Sequence, residues 1–311
     1  MATLREIKRR ISGVTSTEKI TKAMKMVAAA KLRRAQAALV AARPYSRKIS
    51  ELVKRLAANA DLSENPLVKE RETKRVAIVV VTADRGFCGA FNSNIIKATN
   101  GLIASRYQKL YLSNRVKLFI VGRKGFEFFS KRRLAQSTGY DVIGNYSSVF
   151  RDLKFQTAKN IASEIIKGYL AGTYDRVEIV YNEFKNVMHQ RLLIEQFLPV
   201  PKEEMKSDAE TLSERKGSHD RVNPEYIYEP DSASILESLM PRHLEYQIWR
   251  VLLESNAAGE GARMAAMDNA SENASELISS LSLQYNKARQ AAITKELLEV
   301  VSGAEALTAA S

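Results

Sequence analysis

Apolar residues recur along the first part of the chain in alternate steps of four and three. From Ile7 the pattern runs through Ile11, Val14, Glu18, Thr21, Lys25, Ala28, Leu32, Ala35, Leu39, Ala42, Ser46, Ile49, Val53 and Leu56, and eleven of these fifteen positions are apolar. A stripe of this period, kept for about seven heptads, predicts a long helix that buries one narrow seam against another helix. At Glu18 and Lys25 the stripe is expected to slip by one residue, onto Ile20 and Met24, as a real helix drifts against a heptad. Pro44 is expected to kink the helix or to start a new turn. At the α-helical rise, such a helix over residues 1–58 would extend roughly 87 Å.

The other end of the chain carries a matching pattern. From about Ser232 to Val301 the only glycines are Gly259 and Gly261, and the only proline is Pro241. Ala270, Ala274, Leu277, Leu281, Gln284, Ala288, Ala291, Lys295 and Leu298 again step by threes and fours. Small residues on a seam let two backbones approach closely, so the simplest arrangement is a thin antiparallel pair of the two terminal helices. Gly303 is expected to stop the second helix.

Between them the period changes. "VAIVVVTADRGFCGAFN" reads as a buried strand, a tight glycine-bearing loop and a helix over about Ile95 to Ser105. "VKLFIVG" (116–122), "DRVEIVYNEF" (175–184) and "RLLIEQFLPV" (191–200) read as three more strands, and 151–171 as a helix carrying Leu153, Ala158, Ile161, Ile165 and Ile166. Apolar strands alternating with helices predict a mainly parallel sheet covered on both faces, its last two strands paired as a hairpin. The expected class is therefore α/β: a long antiparallel coiled coil of the N- and C-terminal helices plus a central Rossmann-like α/β domain. The boundaries are a helix at 1–58, the α/β domain at 75–200, a polar loop or insertion at 201–225 and the C-terminal helix at 226–311.

Charge sharpens this picture. The net charge is +13, and residues 1–58 hold fifteen Lys and Arg against Glu6, Glu18 and Glu51. Nearly all of the excess thus sits on one helix, which must face something acidic: nucleic acid, lipid headgroups or an acidic protein surface. A single cysteine, Cys88, excludes an intramolecular disulfide, and the longest apolar run, Val76 to Val81, is far too short to span a membrane.

Candidate chemistry is sparse. Gly86 and Gly89 occupy a strand-to-helix loop, but neither G-x-G-x-x-G nor G-x-x-x-x-G-K-[ST] is present, which favours a tight turn over a dinucleotide site. Cys88 has no histidine near it in sequence and suits a small buried hydrophobe. His189, His219 and His243 lack metal-ligand spacing and the context of a triad. Asp84 and Arg85 are read as an ion pair or a loop cap. No catalytic group, cofactor or metal is expected.

Five stretches carry a resemblance: "ITKAMKMVAAAKLRRAQ", "RPYS", "TADRGFCGAFN", "YIYEP" and "YNKARQAAITKELLEVVSGAEAL". In this order and spacing they resemble the gamma subunits of F-type ATP synthases over nearly the whole chain. The resemblance implies a central rotor stalk, itself not an enzyme. Its coiled coil would turn inside the alpha3beta3 ring, and its lower end would stand on the c-subunit ring beside epsilon, with no direct membrane insertion. It implies alpha- and beta-ring contacts at Met24, Lys25, Arg263, Gln290 and Thr294. It implies contacts on the c-ring and epsilon side at Tyr226, Tyr228 and Glu229. The chain lacks the cysteine pair of the thiol-regulated chloroplast type. The helix pattern at the N-terminus, without an apolar signal core, leads to the expectation of a bacterial inner-membrane complex; a mature organellar form would look similar. A nucleic-acid-binding coiled coil explains the basic N-terminal helix alone, since residues 232–301 are not basic and have no interleaved aromatics. A dinucleotide-binding enzyme is the third alternative.

Overall fold

The computed structural model describes residues 3–59, 65–135, 139–187, 189–201, 229 and 231–309. Helix α1 (Leu4–Asn59) opens on a reciprocal cap. The Thr3 amide donates to Glu6 Oε2 at 3.0 Å and the Glu6 amide to Thr3 Oγ1 at 3.4 Å, so two of the otherwise unpaired amides of the first turn are satisfied. The last helix, α6 (Ser232–Ala309), starts the same way: the Ser234 amide donates to Asp231 Oδ1 at 2.8 Å. Between them lie β1 (Val76–Val81), α2 (Phe91–Arg106), α3 (Gln108–Leu112), β2 (Val116–Val121), α4 (Arg123–Ala135), β3 (Tyr140–Tyr146), α5 (Phe155–Leu170), β4 (Arg176–Phe184) and β5 (Gln190–Leu198).

The chain divides into two units, residues 1–29 with 263–311 and residues 30–262. In the first, α1 and α6 run antiparallel: Lys25 Nζ meets Asp268 Oδ1 at 2.5 Å, and Ser271 Oγ lies 2.7 Å from Thr21 Oγ1. Ile7, Ala28, Met267, Ala274 and Leu281 are buried there. The expected slip of the α1 stripe does not occur. Thr21 is buried while Ile20 is exposed, and Glu18 and Lys25 stay on the half-buried side. The reason is a polar pairing: the Thr21 hydroxyl donates to the Glu18 carbonyl and can accept from Ser271, so the seam tolerates a hydroxyl pair where apolar counting looks for a hydrocarbon. The α6 seam also departs from the sequence stripe. Ala274, Leu281 and Ala288 hold, but Ile278, Tyr285 and Ala292 replace Leu277, Gln284 and Ala291, which are exposed. Each correction is one residue, and Leu277–Ile278 and Ala291–Ala292 are neighbours between which hydrophobicity alone does not choose. Gly303 does not end α6, which continues to Ala309; a single helical glycine costs only about 1 kcal/mol.

In the second unit, a five-stranded sheet of order β3-β2-β1-β4-β5 is parallel except for the antiparallel β4–β5 pair. Both faces are covered, as the continuous apolar strands require. Ala77, Val79 and Val81 pack with α5, with Ile49, Val53 and Leu56 of α1, and with Leu236 to Leu252 of α6. Val76, Ile78 and Val80 pack with Phe91, Ile95 and Leu102 of α2, Phe129 of α4 and Ala258 and Ala262 of α6. α1 continues through Pro44 and brings Tyr45 to Tyr246, with ring centroids 4.4 Å apart; Phe155 of α5 stacks on Tyr246 at 4.7 Å and meets Trp249 edge-on at 5.9 Å. The sequence reading missed α4 and β3. β3 is an edge strand whose apolar residues, Tyr140, Val142, Ile143 and Tyr146, are interrupted by Asp141, Gly144 and Asn145, and α4 is rich in Lys and Arg, so neither shows the continuous apolar run of a fully covered element. The expected loop at 201–225 lies almost wholly outside the described residues.

His243 of α6 is held down at about 4, first by burial and then by the Arg250 and Lys54 charges. The unfolded chain therefore takes up a proton below pH 6.5 that the folded chain refuses, so stability falls as pH drops from 6.5 towards 4. At pH 5 this loss should reach about 2 kcal/mol. Denaturant titrations of the parent and His243→Gln at pH 5 and pH 7 check it: the variant should lose less stability on acidification, and equal losses would refute the assignment.

Candidate partner-binding surfaces

In a parallel α/β sheet the carboxyl ends of the strands are the default place for a ligand. Here that edge is occupied by the chain's own side chains. Asp84, just beyond β1, accepts three backbone amides: Arg123 at 3.1 Å and Ser148 at 2.9 Å on Oδ1, and Phe150 at 2.9 Å on Oδ2. Thr82 Oγ1 takes the Gly125 amide at 2.8 Å, and Asn92 Oδ1 takes the Ala83 amide at 2.9 Å. The first-turn amides of α4, which in a nucleotide-binding fold would face a phosphate, are thus committed internally. Gly122 makes the close approach possible: its φ is +93°, and a Cβ there would lie 1.9 Å from the Thr82 carbonyl oxygen. Cys88 is buried and its sulfur accepts from Asn92 Nδ2 at 3.2 Å, so this loop is a structural staple.

The remaining candidates lie on the helices. Met24 is half-buried beside Lys25, whose ammonium is engaged with Asp268 across the α1–α6 seam. Arg263 is buried within the chain, with 9% of its surface exposed. Gln290 and Thr294 are exposed one turn apart on α6, and the Thr294 hydroxyl donates to the Gln290 carbonyl at 2.9 Å. Glu229 is exposed; Tyr226 and Tyr228 lie outside the described residues. The structure therefore brings together Met24 with Lys25 and Gln290 with Thr294.

One surface was missed by pattern reading. Each step up α1 is a step down α6, so α1's first residue, Leu4, is level with about residue 288. Beyond that point α6 has no α1 beside it, and Ile293, Leu297, Leu298, Val300 and Val301 are all exposed. On α1, Ile20, Met26, Val27 and Val40 are exposed as well. Clusters of exposed aliphatics of this kind mark contact surfaces. The available signal was the excess of C-terminal aliphatics over what α1 has length to cover.

The sequence model described as ATP synthase matches residues 3–307. The gamma chain of Chloroherpeton thalassium is 50% identical over 310 residues, covering 99% of each chain, and that of Chlorobaculum tepidum is 50% identical over 308 residues with the same coverage. The chain belongs to the ATP synthase gamma-chain family. A chain of the central stalk and c-ring of Tetrahymena thermophila mitochondrial ATP synthase is similar, with TM-score 0.55 and 26% identity, covering 81% of this chain and 99% of that one. A chain of the Euglena gracilis mitochondrial ATP synthase shares the fold at TM-score 0.63 and 21% identity, covering 98% and 95%. At the carboxyl edge the loop amides are held by Asp84, Thr82 and Asn92, and on the helices the exposed aliphatics form contact surfaces.

The Asp84 staple can be tested directly. Asp84→Ala should lower stability by about 2 kcal/mol in urea unfolding, because it removes the charged acceptor of three loop amides, whereas Asp84→Asn should lose less by keeping one oxygen in place. Parent-like midpoints for both variants would show that the staple carries no stability.

Proposed function

We propose that the chain is the non-catalytic rotor shaft of an F1F0 ATP synthase, coupling ion flow through the membrane ring to ATP synthesis or hydrolysis in the alpha3beta3 ring by rotation. The observation that carries this reading is the match to gamma chains over 99% of this chain and of the relative. Physical features support it. The α1–α6 pair has small seam residues such as Ala28, Ala274 and Ala288, so it is thin enough to turn inside a sleeve. Its α1 side carries Lys22, Lys31, Arg33 and Arg34 at the surface or half-buried, a distributed positive field able to meet acidic segments of successive beta subunits without one locking pair. The uncovered aliphatics of α6 from Ile293 to Val301 would bear on the apolar inner wall of the ring.

The remaining partners are the epsilon subunit and the c-ring, through the lower segment containing Tyr226, Tyr228 and Glu229. The alpha–beta contacts proposed are Met24, Lys25, Arg263, Gln290 and Thr294. The protein would be peripheral, on the cytoplasmic face of a bacterial inner membrane; among the described residues no helix is long and apolar enough to cross a membrane. Rotation of an asymmetric shaft would shift each catalytic site among binding states through contacts that differ between states, and this requires no reacting group in the shaft.

Reconstitution with alpha and beta subunits, followed by ATPase and single-molecule rotation assays, tests the reading. Failure of the chain to assemble with that ring would overturn it. Combined neutralisation of Lys22, Lys25, Arg33 and Arg34 to Gln should leave helicity nearly intact and weaken assembly or coupling, since exposed charges add little to folding but act together across an interface. Unchanged assembly and rotation would argue against an electrostatic role. Gln290→Ala with Thr294→Ala should stay folded, as exposed substitutions move stability by only about 0.5 kcal/mol, yet reduce turnover of the complex. The expected loss is about 1–3 kcal/mol for each interface group left unsatisfied. Parent-like turnover would make these residues a plain outer helix face.

A further inference from the structure

Where α6 crosses the β4–β5 hairpin, Arg250 is the centre of a polar cluster that the rotor reading does not use. Its Nη2 donates to Glu195 Oε2 of β5 at 2.9 Å, and its Nη1 donates to the Tyr181 hydroxyl of β4 at 3.1 Å. Tyr181 passes its own hydrogen to Glu195 Oε1 at 3.0 Å. Glu254 lies one turn along α6, with Oε2 3.5 Å from Arg250 Nη1. That oxygen is buried and has no hydrogen-bond partner.

The geometry leaves one oxygen out. Tyr181 has a single hydroxyl hydrogen for two carboxylates, Glu195 and Glu254, and the Arg250 hydrogen bonds go to Tyr181 and Glu195, so Glu254 Oε2 keeps only the longer ion-pair contact. A further carboxylate, Glu183 of β4, faces the cluster with its Oε2 buried and 3.2 Å from Lys185 Nζ. Buried carboxylate oxygens without a donor are costly, and the smallest thing that satisfies one is a proton.

We propose that Glu254, Arg250, Tyr181 and Glu195 form a proton-sensitive joint that clamps α6 onto the β4–β5 hairpin, tightest when Glu254 is protonated. Protonation removes the charge from a buried carboxylate that lacks a full set of donors and leaves Arg250 balanced by Glu195. The ionised form adds a negative charge beside two others. The groups facing Glu254 are Arg250 on α6, with Glu260 further along the helix, Tyr181 and Glu183 on β4, and Glu195 on β5; His243 lies on the other side of Arg250. Burial, and then the Glu183 and Glu195 charges, hold Glu254 above the ordinary carboxylate range against the pull of Arg250. The folded chain therefore binds its proton more tightly than the unfolded chain, and the joint weakens as pH rises above the ordinary Glu value of 4.5. Every group belongs to the unit of residues 30–262, so the joint stands whether or not the rotor reading holds.

Thermal unfolding of the full-length chain between pH 4.5 and pH 8.5 tests it, with the single tryptophan, Trp249, as a local fluorescence reporter beside Arg250. Glu254→Gln mimics the protonated form at every pH. It should match the parent at the acid end and unfold about 3 °C higher at the alkaline end for each unit by which the folded protein raises Glu254. The parent's Trp249 emission should shift with pH and the variant's should not. His243 titrates alike in both chains and cancels in the difference. An offset independent of pH, or a variant less stable at alkaline pH, would overturn the proposal. Glu183→Gln leaves Glu254 in place and supplies a second arm, useful if the first variant fails to fold. It removes a like charge, so the alkaline loss of stability should become shallower; an unchanged slope would equally overturn it.

Discussion

The structure depends on one constraint: two helices at opposite ends of the chain each carry a seam that neither can bury alone. α1 supplies Ile7, Ala28, Leu32, Leu39, Val53 and Leu56, and α6 supplies Leu236, Leu244, Leu252, Met267, Ala274 and Leu281. Burying each large aliphatic contributes about 1.5–3 kcal/mol, so within each unit a stretch of α1 is drawn onto a stretch of α6 and the intervening segment must fold in a way that returns the chain. The αβ units do this, and the residues that connect the two helices become a doubly covered sheet against which both helices also pack.

The same constraint decides which surfaces remain for partners. Pairing is antiparallel and α1 starts at Leu4, so the length of α6 beyond about residue 288 cannot be covered within the chain. The aliphatics exposed there and the basic outer side of α1 are consequences of unequal helix lengths and of a narrow seam. At the sheet's carboxyl edge the balance is opposite. Asp84, Thr82 and Asn92 satisfy the loop amides from within.

Two polar clusters show how differently buried polarity can act. Thr21 and Ser271 pair hydroxyl to hydroxyl and are fully satisfied, so they fix the register of the coiled coil without responding to solvent conditions. The Arg250 cluster leaves one buried oxygen of Glu254 without a hydrogen-bond partner. A network in that condition is the part of a core that responds to protonation, and it lies between a shaft helix and the hairpin that must move with it.

The periodicity of the sequence by itself determined the class of the protein: two long terminal helices, the α1 stripe from Ile7 to Leu56, and strands at β1, β2, β4 and β5. These were legible because burial on one side of a helix, or on both faces of a strand, imposes a period on composition. The family resemblance was likewise carried by local stretches. Only the tertiary structure decided the rest. Ile20 is turned outward because Thr21 finds Ser271, a residue 250 positions away. Ile278 takes the seam from Leu277 because the partner helix fixes the rotation of α6. β3 was missed because its apolar residues are interrupted by Asp141, Gly144 and Asn145, and the burial of Arg263 comes from packing that spacing does not record. Periodicity reports how much apolar surface a segment must hide; which neighbour hides it, and which polar atom is left without a hydrogen, is settled by long-range pairing alone.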